Sequence, residues 1–184
     1  MKKKKVIVTI IAAALILCLA IGGTIAWLTA KTDPVTNTFT VGDINITLDE
    51  SDDLDLKMVP GKEITKDPKV TVLENSEDCW LFVKIDKSSN FDAFMTYGIA
   101  DGWTQLGTEE TYPGVYYREV SSITSEKEFP VLADNKVTVK GEEVTKEMLS
   151  ALTPENYPTL TFKAYACQRA SFDYPSDAWE KVRD

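Results

Sequence analysis

The chain has 184 residues, 43% of them hydrophobic and 27% charged, with a formal net charge of −9. This composition fits one packed globular domain and not a disordered chain. The acidic excess disfavours phosphate backbones, so nucleic acid is not an expected partner. The sequence contains no histidine, which removes Ser-His-Asp triads, Cys-His pairs and the usual histidine-ligated zinc sites.

The N-terminus reads as an address. Lys2, Lys3, Lys4 and Lys5 form a basic n-region (residues 2–5), and residues 6–21 form an apolar h-region interrupted only by Thr9. Gly22 and Gly23 end the run, and Thr24 and Ala26 put small residues at −3 and −1 of a cut before Trp27. This is the layout of a secretory signal peptide spanning residues 1–26. The alternative is a retained anchor, because residues 6–28 are long enough to cross a bilayer. Both readings place the remainder outside the cytoplasm, with the membrane touched only through the signal segment.

Residues 27–37 form a polar arm without periodicity. Residues 38–48 alternate, with Phe39 and Val41 in one phase and Ile44, Ile46 and Leu48 in the other. The slip at Gly42-Asp43 predicts a bulge or kink. Short strands are expected at 70–73 and 115–120. A central, doubly covered strand is expected at 79–85, since Leu81, Val83 and Ile85 face one way and Trp80 and Phe82 the other. Residues 91–99 read as a short helix, and residues 129–132 and 136–140 as a hairpin turning at Asp134-Asn135. Thr145 is expected to cap a helix over 145–152, and Ser176 to cap a terminal helix over 177–182. Between them, residues 159–168 form a long strand with Leu160, Phe162, Ala164 and Ala166 on one face. No βαβ rhythm is present. The expected fold is therefore mainly β, an antiparallel sandwich over residues 38–184 with a few short helices.

Candidate sites are sparse. Cys18 falls in the signal segment, while Cys79 and Cys167 either form one disulfide or remain separate, partly buried thiols. The acidic residues Asp49, Asp52, Asp53 and Asp55 offer carboxylate oxygen to calcium, although the spacing is not that of an EF-hand loop. The other reading is a solvated acidic loop. Trp80, Phe82, Trp103, Tyr112, Tyr116 and Tyr117 serve either as a carbohydrate platform or, more in keeping with strand aromatics, as core. Lys62, Lys66 and Lys69 either contact anionic polymer or pair with neighbouring acids. No catalytic constellation and no cofactor motif is found.

Several stretches resemble one family. Gly22-Gly23-Thr24-Ile25-Ala26-Trp27 resembles the end of signal peptides handled by the dedicated signal peptidase SipW. Asn37-Thr38-Phe39-Thr40-Val41-Gly42, followed by Ile44-Asn45-Ile46-Thr47-Leu48, resembles a segment of TasA and camelysin. Pro60-Gly61, Ile64-Thr65-Lys66 and Val70-Thr71-Val72 resemble that family's turn and following strand. The resemblance is strong over residues 1–85 and weaker beyond.

It implies a jelly-roll-like domain exported through a SipW-type peptidase. It also implies a structural role at the cell surface or in a biofilm matrix, with the protein itself or a paralogous matrix protein as partner. The camelysin branch is classed as metalloprotease, a role that the lack of histidine and of an HExxH motif argues against here. The segment singled out for function is the arm with the first strand. Its backbone can add to a neighbour's sheet edge while Phe39, Val41 and Ile44 fill pockets. The plain alternative is that residues 38–48 are the first strand of their own domain. Further alternatives are a monomeric extracytoplasmic binding module and a minor fibre subunit.

Overall fold

The computed structural model describes residues 43–51 and 57–183. The chain divides into two units, Met1–Thr40 and Val41–Asp184, and every described residue lies in the second. Among the described residues ten strands, all paired antiparallel, form three sheets. One sheet has the order β1 (Ile46–Asp49), β3 (Lys69–Val72), β8 (Lys127–Pro130). A second runs β10 (Leu160–Gln168), β4 (Cys79–Lys87), β7 (Val115–Val120), β6 (Thr104–Gln105). The third runs β2 (Glu63–Thr65), β9 (Leu132–Val139), β5 (Met95–Ile99). Three short α-helices, α1 (Phe91–Phe94), α2 (Lys146–Ser150) and α3 (Pro175–Val182), and one 3-10 turn (Arg169–Ser171) complete the described residues. The expected mainly β, antiparallel architecture is present.

Strand β4 organises the core because it is apolar on both faces. Cys79, Leu81, Val83 and Ile85 pack with Val70, Val72 and Phe129 of the β1-β3-β8 sheet. Trp80 and Phe82 point the other way and pack with Ala178 and Trp179 of α3. Leu81, Phe82 and Val83 are fully buried, and burial of each such side chain contributes roughly 1.5–3 kcal/mol. A third cluster joins Phe91 and Phe94 of α1 to Ile64, Met95, Val137 and Val139 of the β2-β9-β5 sheet. Leu160 and Phe162 of β10 touch both this cluster and the first, so they bridge the two.

The structure differs from the sequence reading at three places. The helix expected over 91–99 ends at Phe94, and Met95–Ile99 is a strand. Pairing with β9 decides this: Met95, Thr96 and Tyr97 oppose Val139, Thr138 and Val137.

The predicted hairpin at Asp134-Asn135 does not reverse the chain. Both residues do take positive φ, 53° each, as Asp and Asn in a turn can. Here, however, they sit inside the continuous strand β9, where the register against β5 shifts between Tyr97 and Ile99. They form an irregularity between the pairing of Val137 with Tyr97 and that of Leu132 with Ile99.

The terminal helix starts at Pro175, with Tyr174 as N-cap and no side-chain cap. Ser176 is therefore not its cap; proline at the first helical position supplies the pre-set φ instead. Thr145 does cap α2, its hydroxyl accepting from the Met148 amide at 3.3 Å.

Candidate functional site

Two features of the described residues offer themselves to a partner. The first is an edge. Strand β10 pairs with β4 along its whole length, from Leu160↔Lys87 to Gln168↔Cys79, and has no second strand beside it among the described residues. Such an edge carries unpaired backbone groups that can template another strand. Lys163 is exposed on this strand, and its Nζ lies 3.8 Å from Asp86.

The second feature is an apolar groove of about 650 Å³. Its lining includes Ile64, Phe91, Met95, Val137, Leu149, Leu152, Tyr157, Pro158 and Leu160. These residues come from β9, β2, β5, α1, the α2 region and the start of β10, which is why no contiguous motif announces the groove. The only local signal is the spacing of Leu149 and Leu152 on the short helical segment. Tyr157 is 51% exposed. Lys57 and Lys66 also line it. The Lys66 ammonium pairs with Glu50 at 2.6 Å and lies 5.5 Å from the centre of the Phe162 ring.

The remaining sequence candidates distribute as follows. Thr24, Ala26, Trp27, Phe39, Val41, Asp52, Asp53 and Asp55 lie outside the described residues. Ile44 packs against the first core cluster. Asp49 accepts from the Thr47 hydroxyl at 2.6 Å, and among the described residues no group of three His, Cys, Asp or Glu side chains is placed to hold a metal. Lys69 pairs with Glu128 at 3.1 Å.

The six aromatic residues do not form one platform. Trp103 and Tyr116 belong to the first core cluster, while Trp80, Phe82, Tyr112 and Tyr117 belong to the cluster on the opposite face of the sheet. Trp80 meets Tyr117 edge to face at 5.9 Å, and its indole donates to the Phe172 carbonyl at 3.0 Å. Burial pushes the Tyr97 and Tyr116 phenols up from their ordinary range.

The two cysteines are free thiols, so the possible disulfide is not formed. The register explains why: Cys79 stands opposite Gln168, and Cys167 opposite Trp80. Directly opposed residues share a face and neighbours along a strand alternate. Cys79 therefore points into the first core cluster and Cys167 into the cluster under α3. Burial, with smaller contributions from Cys167 and Asp78, pushes the Cys79 thiol up to about 11.

A family model described as Camelysin metallo-endopeptidase matches residues 1–77. No curated protein and no solved structure matches the chain. The described part of the match holds β1, β2 and β3. It includes the Pro60-Gly61 turn, where Gly61 takes φ +73°. These are the stretches on which the resemblance rests, and TasA falls in the same family. Over residues 1–77 the chain is similar to the family that includes camelysin and TasA, whose members are extracellular or cell-surface proteins.

Proposed function

We propose that this protein is an exported structural component of the cell surface or biofilm matrix that assembles into fibres by exchange of its N-terminal segment. The observation that carries the proposal is the family match over residues 1–77, which spans the signal-like segment, the arm and the first three strands. The edge of β10, unpaired among the described residues, supports it, because a nine-residue edge of this kind can accept a strand. Removal of residues 1–26 by a SipW-type peptidase frees the arm, residues 27–37. The arm then adds to the sheet edge of the next copy, and a head-to-tail contact of this kind does not close, so it propagates. Tethering to the membrane before cleavage couples assembly to export.

The family's descriptive name points to metal-dependent proteolysis. A chain without histidine lacks the common ligands and base of such enzymes, so the structural reading is preferred. A monomeric binding module is the second reading, supported by the apolar groove. Electron microscopy and size-exclusion chromatography separate the two. Protein starting at Trp27 is expected to form filaments, and protein starting at Thr38 to stay folded and monomeric. A Thr38 form that polymerises as readily as the Trp27 form sinks the exchange mechanism, and a Trp27 form that stays monomeric at high concentration favours the module.

A further inference from the structure

The chain has three arginines, and two of them are ion-paired: Arg169 with Glu119 at 2.9 Å and Arg183 with Glu180 at 2.7 Å. Arg118 is different. It sits on β7 opposite Leu81, on the core face of the sheet. Its guanidinium carbon lies 4.2 Å from the centre of the Phe129 ring and 5.3 Å from that of Trp103. Among the described residues its Nε is the one buried side-chain nitrogen or oxygen without a hydrogen-bond partner, and no carboxylate reaches the group.

The clamp around it is built from fixed parts. The Trp103 indole donates to the Pro130 carbonyl at 2.8 Å, which sets that ring. Gly102, at φ +85°, leaves room for the guanidinium end, since a Cβ there would stand 2.7 Å from an Nη atom. Loss of solvent around the guanidinium lowers its proton affinity, as expected of a cation taken out of water without a counter-charge. Two aromatic faces compensate part of that loss. The Nε–H is held in this clamp with its hydrogen bond unmade.

We infer that Arg118 is a carboxylate-binding site, in which the Trp103–Phe129 clamp presents the terminal guanidinium nitrogens to one planar carboxylate. A carboxylate matches the fork of a single guanidinium with two parallel hydrogen bonds. A doubly charged phosphate is disfavoured in a chain of net charge −9. The carboxylate comes either from a free small acid or from an Asp or Glu side chain of a second copy, a source that a chain with 29 acidic residues supplies in abundance.

The probe is the full chain labelled with fluorotryptophan in dodecyl maltoside, with the Trp103 resonance assigned through Trp103→Phe. A free acid as source predicts a saturable shift of that resonance with sodium propionate and none with equal sodium chloride. An acidic side chain of another copy predicts a shift with protein concentration in the absence of added acid. Arg118→Lys keeps the charge but loses the fork, and is expected to weaken either response about tenfold, the loss of one charge-assisted hydrogen bond. Arg118→Met is expected to abolish it, with the other tryptophan resonances reporting an intact fold. A Trp103 resonance that moves with neither titration, or that moves equally in Arg118→Lys, overturns the assignment.

Discussion

Cys79 and Cys167 lie on adjacent strands one residue out of register, and their side chains leave the sheet from opposite faces. A bridge between them would require β10 to slip by one residue against β4. That slip would turn Leu160, Phe162, Ala164 and Ala166 out of the core they now join. The folded protein is therefore expected to have the same melting temperature with and without reductant. A thiol reagent should modify Cys167 first and Cys79 only on unfolding. A drop in melting temperature of several degrees on reduction would show that the two sulfurs pair.

The same buried thiol gives the fold an alkaline limit. The ordinary Cys79 value of 9.0 is raised to about 11 in the fold, so the folded state favours the neutral thiol. Its contribution is complete below pH 9 and is lost as the pH rises through 11. Each tenfold change in proton affinity corresponds to about 1.4 kcal/mol. Urea midpoints are expected to fall between pH 9 and 11, and Cys79→Ala should flatten that slope while lowering stability at pH 7. Tyr97 and Tyr116, also raised by burial, add to the loss at the upper end. An identical slope in the Cys79→Ala protein would assign the whole alkaline loss to the tyrosines.

Truncations along β4 and β10 should differ in cost. Leu81 is fully buried, and Leu81→Ala is expected to cost ~2–5 kcal/mol in urea unfolding. Phe162 is half-buried between two clusters, so Phe162→Ala should cost less than a fully enclosed phenylalanine such as Phe82. Equal midpoints for Leu81→Ala and the unmutated chain would contradict the position of β4 at the centre of the fold.

Helix starts offer a matched pair. Thr145→Ala removes the hydroxyl that accepts from Met148 and is expected to cost about 1 kcal/mol. Ser176→Ala removes a hydroxyl whose partner is the exposed Asp177 side chain at 3.5 Å, and should change stability by less than about 0.5 kcal/mol. The reverse order would restore Ser176 as the cap of the last helix.

Gly114 is a backbone requirement. It has φ +66°, its carbonyl accepts from the Ile85 amide at 2.9 Å, and a Cβ there would run into the Ile85 carbonyl oxygen. Gly114→Ala is expected to cost at least about 1–3 kcal/mol from the left-handed backbone alone, with the clash in addition. Circular dichroism melts would show it, whereas Gly141→Ala, where a Cβ would stand 3.9 Å from the Gly61 Cα, should be mild.

Period-two alternation and both-face hydrophobicity were enough to identify β4 and β10, because a strand covered on one or two faces writes that burial directly into its side-chain order, while Tyr and Val richness identified β7. The Thr145 cap was legible for a similar reason: the bond is local, between residues three apart. The family resemblance likewise rested on local stretches within residues 1–85, most of them inside the matched 1–77. What needed the tertiary structure was every property set by pairing partners. Met95–Ile99 became a strand because β9 lies beside it, and Asp134-Asn135 became an irregularity within β9 because β2 and β5 hold the chain on either side. The separation of Cys79 from Cys167, the groove drawn from six segments, and the clamp on Arg118 all depend on register between strands far apart in sequence. Local preference cannot specify that register; packing of the two faces of β4 does.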